Sequence, residues 1–304
     1  MTTLRSSLFA LLLCSTASAA FAQHFEQPSL PDSTTMVQIG TLATAGGGYY
    51  QPFWFTANRW GALSVEGHQP TFTVGVYGSP LDVGHGWKAN YGATLVTNRD
   101  LDNNVRALDV LLSVEKGLSR FAFGTRSHDT PLNDAELSTG AFALGRNATQ
   151  PLAISWQLPR WWRIGGEKSL FALRGHVAFG WLQDGGWQER RMAPVGGRFA
   201  TEVKYYEKSG YLRIGTDHSR WEFIGGLEMA NTFGGIIHHY NATPLKMPER
   251  PSDYLFAFIG KGGGDPTDGE GYANASGNTI GAWRAALTFR PKGDWQTRVY
   301  SDHY

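Results

Sequence analysis

The chain has 304 residues, with 27 lysines and arginines against 26 aspartates and glutamates, a formal net charge of +1. That balance offers no basic excess to draw in a nucleic acid. One cysteine, Cys14, excludes internal disulfides and thiolate metal clusters, and no run of eighteen apolar residues predicts a membrane-crossing helix.

Residues 1–22 read as a secretory signal. Arg5 is the positive n-region, residues 8–13 the short apolar h-region, and Ala20-Phe21-Ala22 the cleavage site, which predicts Gln23 as the mature N-terminus. Without Arg5 the charges balance at 26 of each sign. Residues 23–35 are polar and aperiodic, a periplasmic tether. Residues 36–304 carry the strand pattern and form one domain.

In chain order the strands and strand candidates are 36–44, 71–77, 87–95, 108–114, 120–125, 153–158, 170–182, 211–215, 221–233, 254–259, 282–289 and 296–300, of which 36–44, 153–158 and 296–300 are the weaker candidates. Phe72, Val74 and Val76 share one face of the second. Lys116-Gly117 marks a hairpin turn, and Pro159 is expected to end the sixth strand. Residues 170–182 alternate most cleanly: Phe171, Leu173, Gly175, Val177, Phe179 and Trp181 on one face, Ala172, Arg174, His176 and Ala178 on the other. Alternation over about ten residues with aromatics near the ends is the pattern of a strand with one face in lipid. Residues 49–61, rich in Tyr, Phe and Trp and broken by Pro52, read as an interfacial aromatic belt. A secreted β-sandwich shares this composition, but it would expose polar residues where these strands carry tryptophan. The expected fold class is therefore all-β, an antiparallel transmembrane outer-membrane β-barrel of ten or eleven strands. Residues 126–150 and 234–252 are long loops.

Little in the chain resembles catalytic machinery. The 262–270 segment is glycine-rich without the Lys-Ser/Thr of a phosphate loop or the acidic spacing of a calcium loop. It reads as a flexible loop, or as a saccharide or calcium contact through Asp265, Asp268 and Glu270. His238-His239 is a weak metal pair, since adjacent side chains on a strand point apart. The sequons at Asn147, Asn241 and Asn274 are read as chance. Arg174 with His176, and Glu222 with Glu228, should face the lumen, because an arginine at the lipid midplane costs roughly 2–4 kcal/mol. They form a solvated wall or a sugar-holding groove.

The segment Pro52-Phe53-Trp54-Phe55-Thr56-Ala57-Asn58-Arg59-Trp60-Gly61 resembles the opening signature of the capsule assembly protein Wzi family. Gly175-His176-Val177-Ala178-Phe179-Gly180-Trp181 with Trp187 follows in order. So do Gly225-Gly226-Leu227-Glu228-Met229-Ala230 with Phe233-Gly234-Gly235, and Gly262-Gly263-Gly264-Asp265 with Gly277-Asn278 and Gly281-Ala282-Trp283. The resemblance implies a monomeric outer-membrane barrel of about eighteen strands that attaches or organises capsular polysaccharide, lectin-like and without catalysis. This chain is shorter by seven or eight strands and lacks room for an N-terminal helical bundle. The expectation is an incomplete barrel, truncated at its C-terminus and in contact with outer-membrane lipid. No cofactor and no metal are expected. Trp187, His238, Asp265 and Asp268 are the candidate polysaccharide contacts. The alternatives are a porin or sugar channel, or an outer-membrane lipid or glycan hydrolase.

Overall fold

The computed structural model describes residues 35–44, 57, 59–63, 69–98, 105–125, 131–132, 141–143, 145, 149–239, 242–260, 277–292 and 295–304. The signal, the tether up to residue 34 and the 262–270 loop, with Asp265 and Asp268, lie outside them, while Thr35 opens the first strand. One antiparallel sheet dominates. Its strands are β1 (Thr35–Thr44), β2 (Gln69–Gly78), β3 (Leu81–Gly84), β4 (Trp87–Asn98), β5 (Val105–Lys116), β6 (Ser119–Gly124), β7 (Leu152–Arg163), β8 (Phe171–Trp181), β10 (Lys204–Ile214), β11 (Trp221–Phe233), β14 (Asn278–Phe289) and β15 (Thr297–His303). The pairing order follows the chain, β1-β2-β4-β5-β6-β7-β8-β10-β11-β14-β15, with β3 prolonging β2 alongside β4. Three short strands form a separate sheet: β9 (Phe199–Thr201), β12 (Ile236–His238) and β13 (Leu245–Lys246). The fold is an antiparallel β-barrel wall that is not closed: among the described residues, β1 and β15 do not pair.

Successive side chains in a strand alternate between faces, and here the two faces are inverted relative to a soluble sandwich. One face buries polar groups: Thr71, Thr73, Asn90, Thr94, Ser113, His176, Glu207, Arg213, Glu222, Glu228, Arg284 and Thr288. The other exposes Val37, Ile39, Phe72, Val74, Leu112, Phe123, Phe171, Leu212, Phe223, Trp283 and Leu287. Water on the apolar face would oppose this arrangement, and hydrocarbon favours it.

The connections alternate too. The turns at 117–118, 164–170, 215–220 and 290–296 are at one end of the strands. The connections at 45–68, 99–104, 125–151, 182–203 and 234–277 are all at the other. On the apolar face, Trp162, Phe171, Trp221 and Phe289 lie near the short-turn end, and Phe179, Trp181, Tyr206 and Phe233 near the long-connection end. Phe171 and Trp181 are ten steps apart on an 11-residue strand. At a rise of about 3.3 Å and a strand tilt of about 40° they span ~25 Å, the height of a lipid-facing band.

Several expectations are corrected. Residues 254–259 are helical, within α2 (Pro251–Ile259). Pro251 stands at its first position, where a missing N–H leaves no helical bond unmade, and Asp253 caps the Arg250 amide. Residues 204–210 join 211–214 in a single strand, β10. Pro159 does not end β7. The register shifts between Leu158 and Trp162, and a proline without a donor is tolerated at such a bulge. The last strand continues to His303 because Asp302 accepts from Arg284 Nε at 2.8 Å, so its charge is taken up on the polar face. Trp60 is not part of an interfacial belt. It is buried with Ala62 against Val96 and Leu108.

Candidate functional site

The long-connection end is built on strands β8, β10, β11 and β14. Here β9, β12 and β13 pair through Ile237 with Ala200 and Ile236 with Lys246. The short helix α1 (Trp187–Met192) packs against β9. It begins after Gly186, whose left-handed φ of 79° turns the chain, and whose amide donates to Asp184 Oδ1 at 2.8 Å. Trp187 opens this helix, 48% exposed. His238 ends β12. Its ring stacks on Phe199 with centroids 4.5 Å apart and planes 6° from parallel, and its Nε2 lies 3.0 Å from Thr201 Oγ1. Trp187 and His238 therefore stand on one platform, joined through α1, β9 and β12.

The platform is tied to the wall by Glu249. It accepts from the Gly235 amide at 2.9 Å and pairs with Lys204 Nζ at 3.1 Å. The amide bond first, then Lys204, holds the Glu249 carboxyl below the usual glutamate range. Sequence reasoning missed Phe199 and Thr201 as the partners of His238, because neither lies in a periodic segment. Among the described residues no group of three or more His, Cys, Asp or Glu converges as metal ligands do.

The polar face below the platform differs from the solvated wall expected for His176, Glu222 and Glu228, which are buried, while Arg174 is half-buried. His176 Nε2 lies 3.2 Å from Glu207 Oε1, and Tyr205 donates to Glu207 Oε2 at 2.9 Å. Glu228 has no exposure. It accepts from Arg284 Nη1 at 2.8 Å and from the Tyr211 hydroxyl. Glu222 pairs with Arg213, and Arg213 also reaches Asp217 at 2.6 Å in the short turn. That bond, with the nearby arginines, lowers the Asp217 pKa. Leu132 covers Tyr211, Ile224 and Ala286. The carboxylates expected to hold sugar hydroxyls are thus held by this chain's own tyrosines and arginines.

Tyr211 reaches Glu228 because it stands opposite Gly226. A Cβ there would meet the Tyr211 ring and the Gly210 carbonyl oxygen at 2.4 Å each. Tyr77 stands opposite Gly92 in the same way. A Cβ on Gly92 would meet its ring at 2.8 Å, and its hydroxyl bonds Thr94. In both places the tyrosine lies across a glycine and bonds the residue two places further on.

No protein-family model matches the chain, and no curated protein matches it. Among solved structures, the chain is similar to a mutant of the Rh. blastica porin, with 7% sequence identity, a TM-score of 0.30, and 89% of this chain and 84% of that chain covered.

Proposed function

We propose that the protein is an outer-membrane wall whose long-connection end faces outward and holds capsular polysaccharide without chemical change. The observation that carries the reading is the platform that seats Trp187 and His238 beyond the aromatic belt. A half-exposed indole and a stacked imidazole offer apolar faces for pyranose rings, with polar groups of the loops beside them. Placement of all long connections at one end supports the orientation, since outer-membrane barrels keep short turns on the periplasmic side. The motif resemblance supports the polysaccharide. Asp265 and Asp268 remain proposed contacts of the same surface.

The channel reading needs a water-lined wall. The ion pairs on β8, β10, β11 and β14 are buried, which favours a filled interior over a pore in that sector.

The test is deletion of the gene and complementation. Deletion should release capsule into the medium with polymer synthesis intact. Wild-type protein should restore retention, and the double variant Trp187→Ala, His238→Ala should restore less than half of it at equal surface expression. Full retention after deletion overturns the reading. Shortening of the glycan by the purified protein would make it a hydrolase, and ohmic conductance in planar bilayers a channel.

A further inference from the structure

Helix α2 does not sit over the mouth of the sheet; it lies on the apolar wall. Three successive outward residues of β10, Lys204, Tyr206 and Lys208, each hold part of it. Lys204 pairs with Glu249 just before the helix. The Tyr206 ring meets Phe258 at 5.7 Å, and the Lys208 ammonium bonds the Phe258 carbonyl oxygen. Tyr254 packs on Phe179 at 5.7 Å and Phe233 at 5.2 Å, and a Cβ placed on Gly260 would lie 3.6 Å from the Met229 side chain. In the registers, Phe233 faces Lys204 and Met229 faces Lys208. The helix therefore descends along β10 and β11, its start at the rim and its end four residues further in. The lengths agree. Four strand residues rise about 13 Å, and the eight steps from Arg250 to Phe258 rise about 12 Å.

A helix end placed there has a problem. Its last carbonyls lack intrahelical partners, and hydrocarbon supplies none. Lys208 answers it. Its ammonium sits at the negative end of the helix dipole and 4.7 Å over the Phe258 ring. Gly260 closes the helix in the left-handed region, φ 68°, and its amide donates back toward Ala257 and Phe256. Ala257 is buried on the wall side, whereas Leu255 and Ile259, one turn apart, are 56% and 55% exposed. Their apolar surface continues the exposed apolar face of the sheet.

We propose that α2 is a re-entrant strap on the lipid-facing wall, its Leu255–Ile259 side covered by acyl chains of the outer leaflet and its inner end held by Lys208. The proposal rests on the membrane reading above. The occupant follows from continuity: Leu255 and Ile259 prolong the apolar band, and the lysine that would otherwise face hydrocarbon is engaged by the helix.

The experiment places single cysteines in a Cys14→Ala background of the full chain, reconstituted in phospholipid vesicles and labelled with bimane. Leu255→Cys and Ile259→Cys report on the strap, and Phe223→Cys reports on the sheet's apolar face. Doxyl-labelled phospholipid should quench all three at least twofold, and aqueous iodide should leave them bright. Iodide quenching at 255 and 259 with lipid quenching at 223 overturns the strap and leaves the membrane reading standing. Loss of lipid quenching at all three positions overturns both. Adding Lys208→Met should at least double iodide quenching at 259 while position 223 keeps its lipid quenching, which shows the sheet is folded. No change at 259 removes the role given to Lys208.

Discussion

The sheet solves one problem twice, and the two solutions differ. In the β2–β4 region, Tyr77 crosses Gly92 and bonds Thr94. In the β10–β11 region, Tyr211 crosses Gly226 and bonds Glu228. The geometry is shared, but the acceptor is a neutral hydroxyl in one and a carboxylate in the other. A hydroxyl asks for little more than one bond. A buried carboxylate must be paired, and removing its partner leaves an uncompensated charge. So the Tyr77–Thr94 bond requires no charged partner, whereas the second device draws in Arg284 from β14 and Asp302 from β15. The first joins a pair of strands. The second locks four together.

The strongest way to break this comparison is Arg284→Met. It strands Glu228 and Asp302 together and should cost about 3–5 kcal/mol, measured by urea unfolding of the lipid-reconstituted protein through tryptophan fluorescence. Adding Glu228→Leu should recover much of the loss. A cost under about 1 kcal/mol would mean the two devices are equivalent.

The glycines sharpen it next. Gly226→Ala and Gly92→Ala both overpack a tyrosine ring, a fault of roughly 1–3 kcal/mol. Gly226→Ala should be the worse of the two, because its Cβ also meets the rigid Gly210 carbonyl. Equal midpoints in the same urea titration would remove that distinction.

Deleting the hydroxyls separates the acceptors. Tyr211→Phe takes a donor from a charged group, worth about 1.5–3 kcal/mol, and Tyr77→Phe takes a neutral bond of about 0.5–1.5 kcal/mol. The reverse order would contradict the assignment of charge as the deciding difference.

The smallest effect lies outside both devices. Glu249 has a folded pKa below its unfolded value of about 4.5. Its contribution is therefore complete above the unfolded pKa and is lost as pH falls through the folded one. Hydrogen exchange at the Gly235 amide should accelerate, relative to its intrinsic rate, only below about pH 4.5. Glu249→Gln should weaken this amide at neutral pH and flatten the pH dependence.

What could be read from the sequence was the alternation. Phe171 to Trp181 declared its lipid side because every outward residue is apolar, aromatic or glycine, and the inward placement of His176, Glu222 and Glu228 followed from the cost of the alternative. Their partners were hidden. Register decides that Gly226 faces both Tyr211 and Arg284, and strand spacing alone contains no register. Tyr254 to Ile259 has the apolar content of a strand, and its helix is fixed by Pro251, by Asp253 and by the wall beneath it. At the platform, Trp187 was named through the motif resemblance, but the stack of His238 on Phe199 joins segments that are far apart in the chain.

The pairing path has a parity. Its eleven strands alternate in direction, so β1 and β15 point the same way across the bilayer. An even circle of strands closes antiparallel, but an odd one meets itself in parallel. A second copy does not make the junction antiparallel. Rotated about the membrane normal, it sets β15 beside β1 in parallel; turned about an in-plane axis, it stands upside down. Hydrocarbon does not tolerate an unpaired edge. Among the described residues, the borders Thr35–Thr44 and Thr297–His303 can therefore meet directly only in parallel, and an all-antiparallel circle would need an odd number of further strands between them.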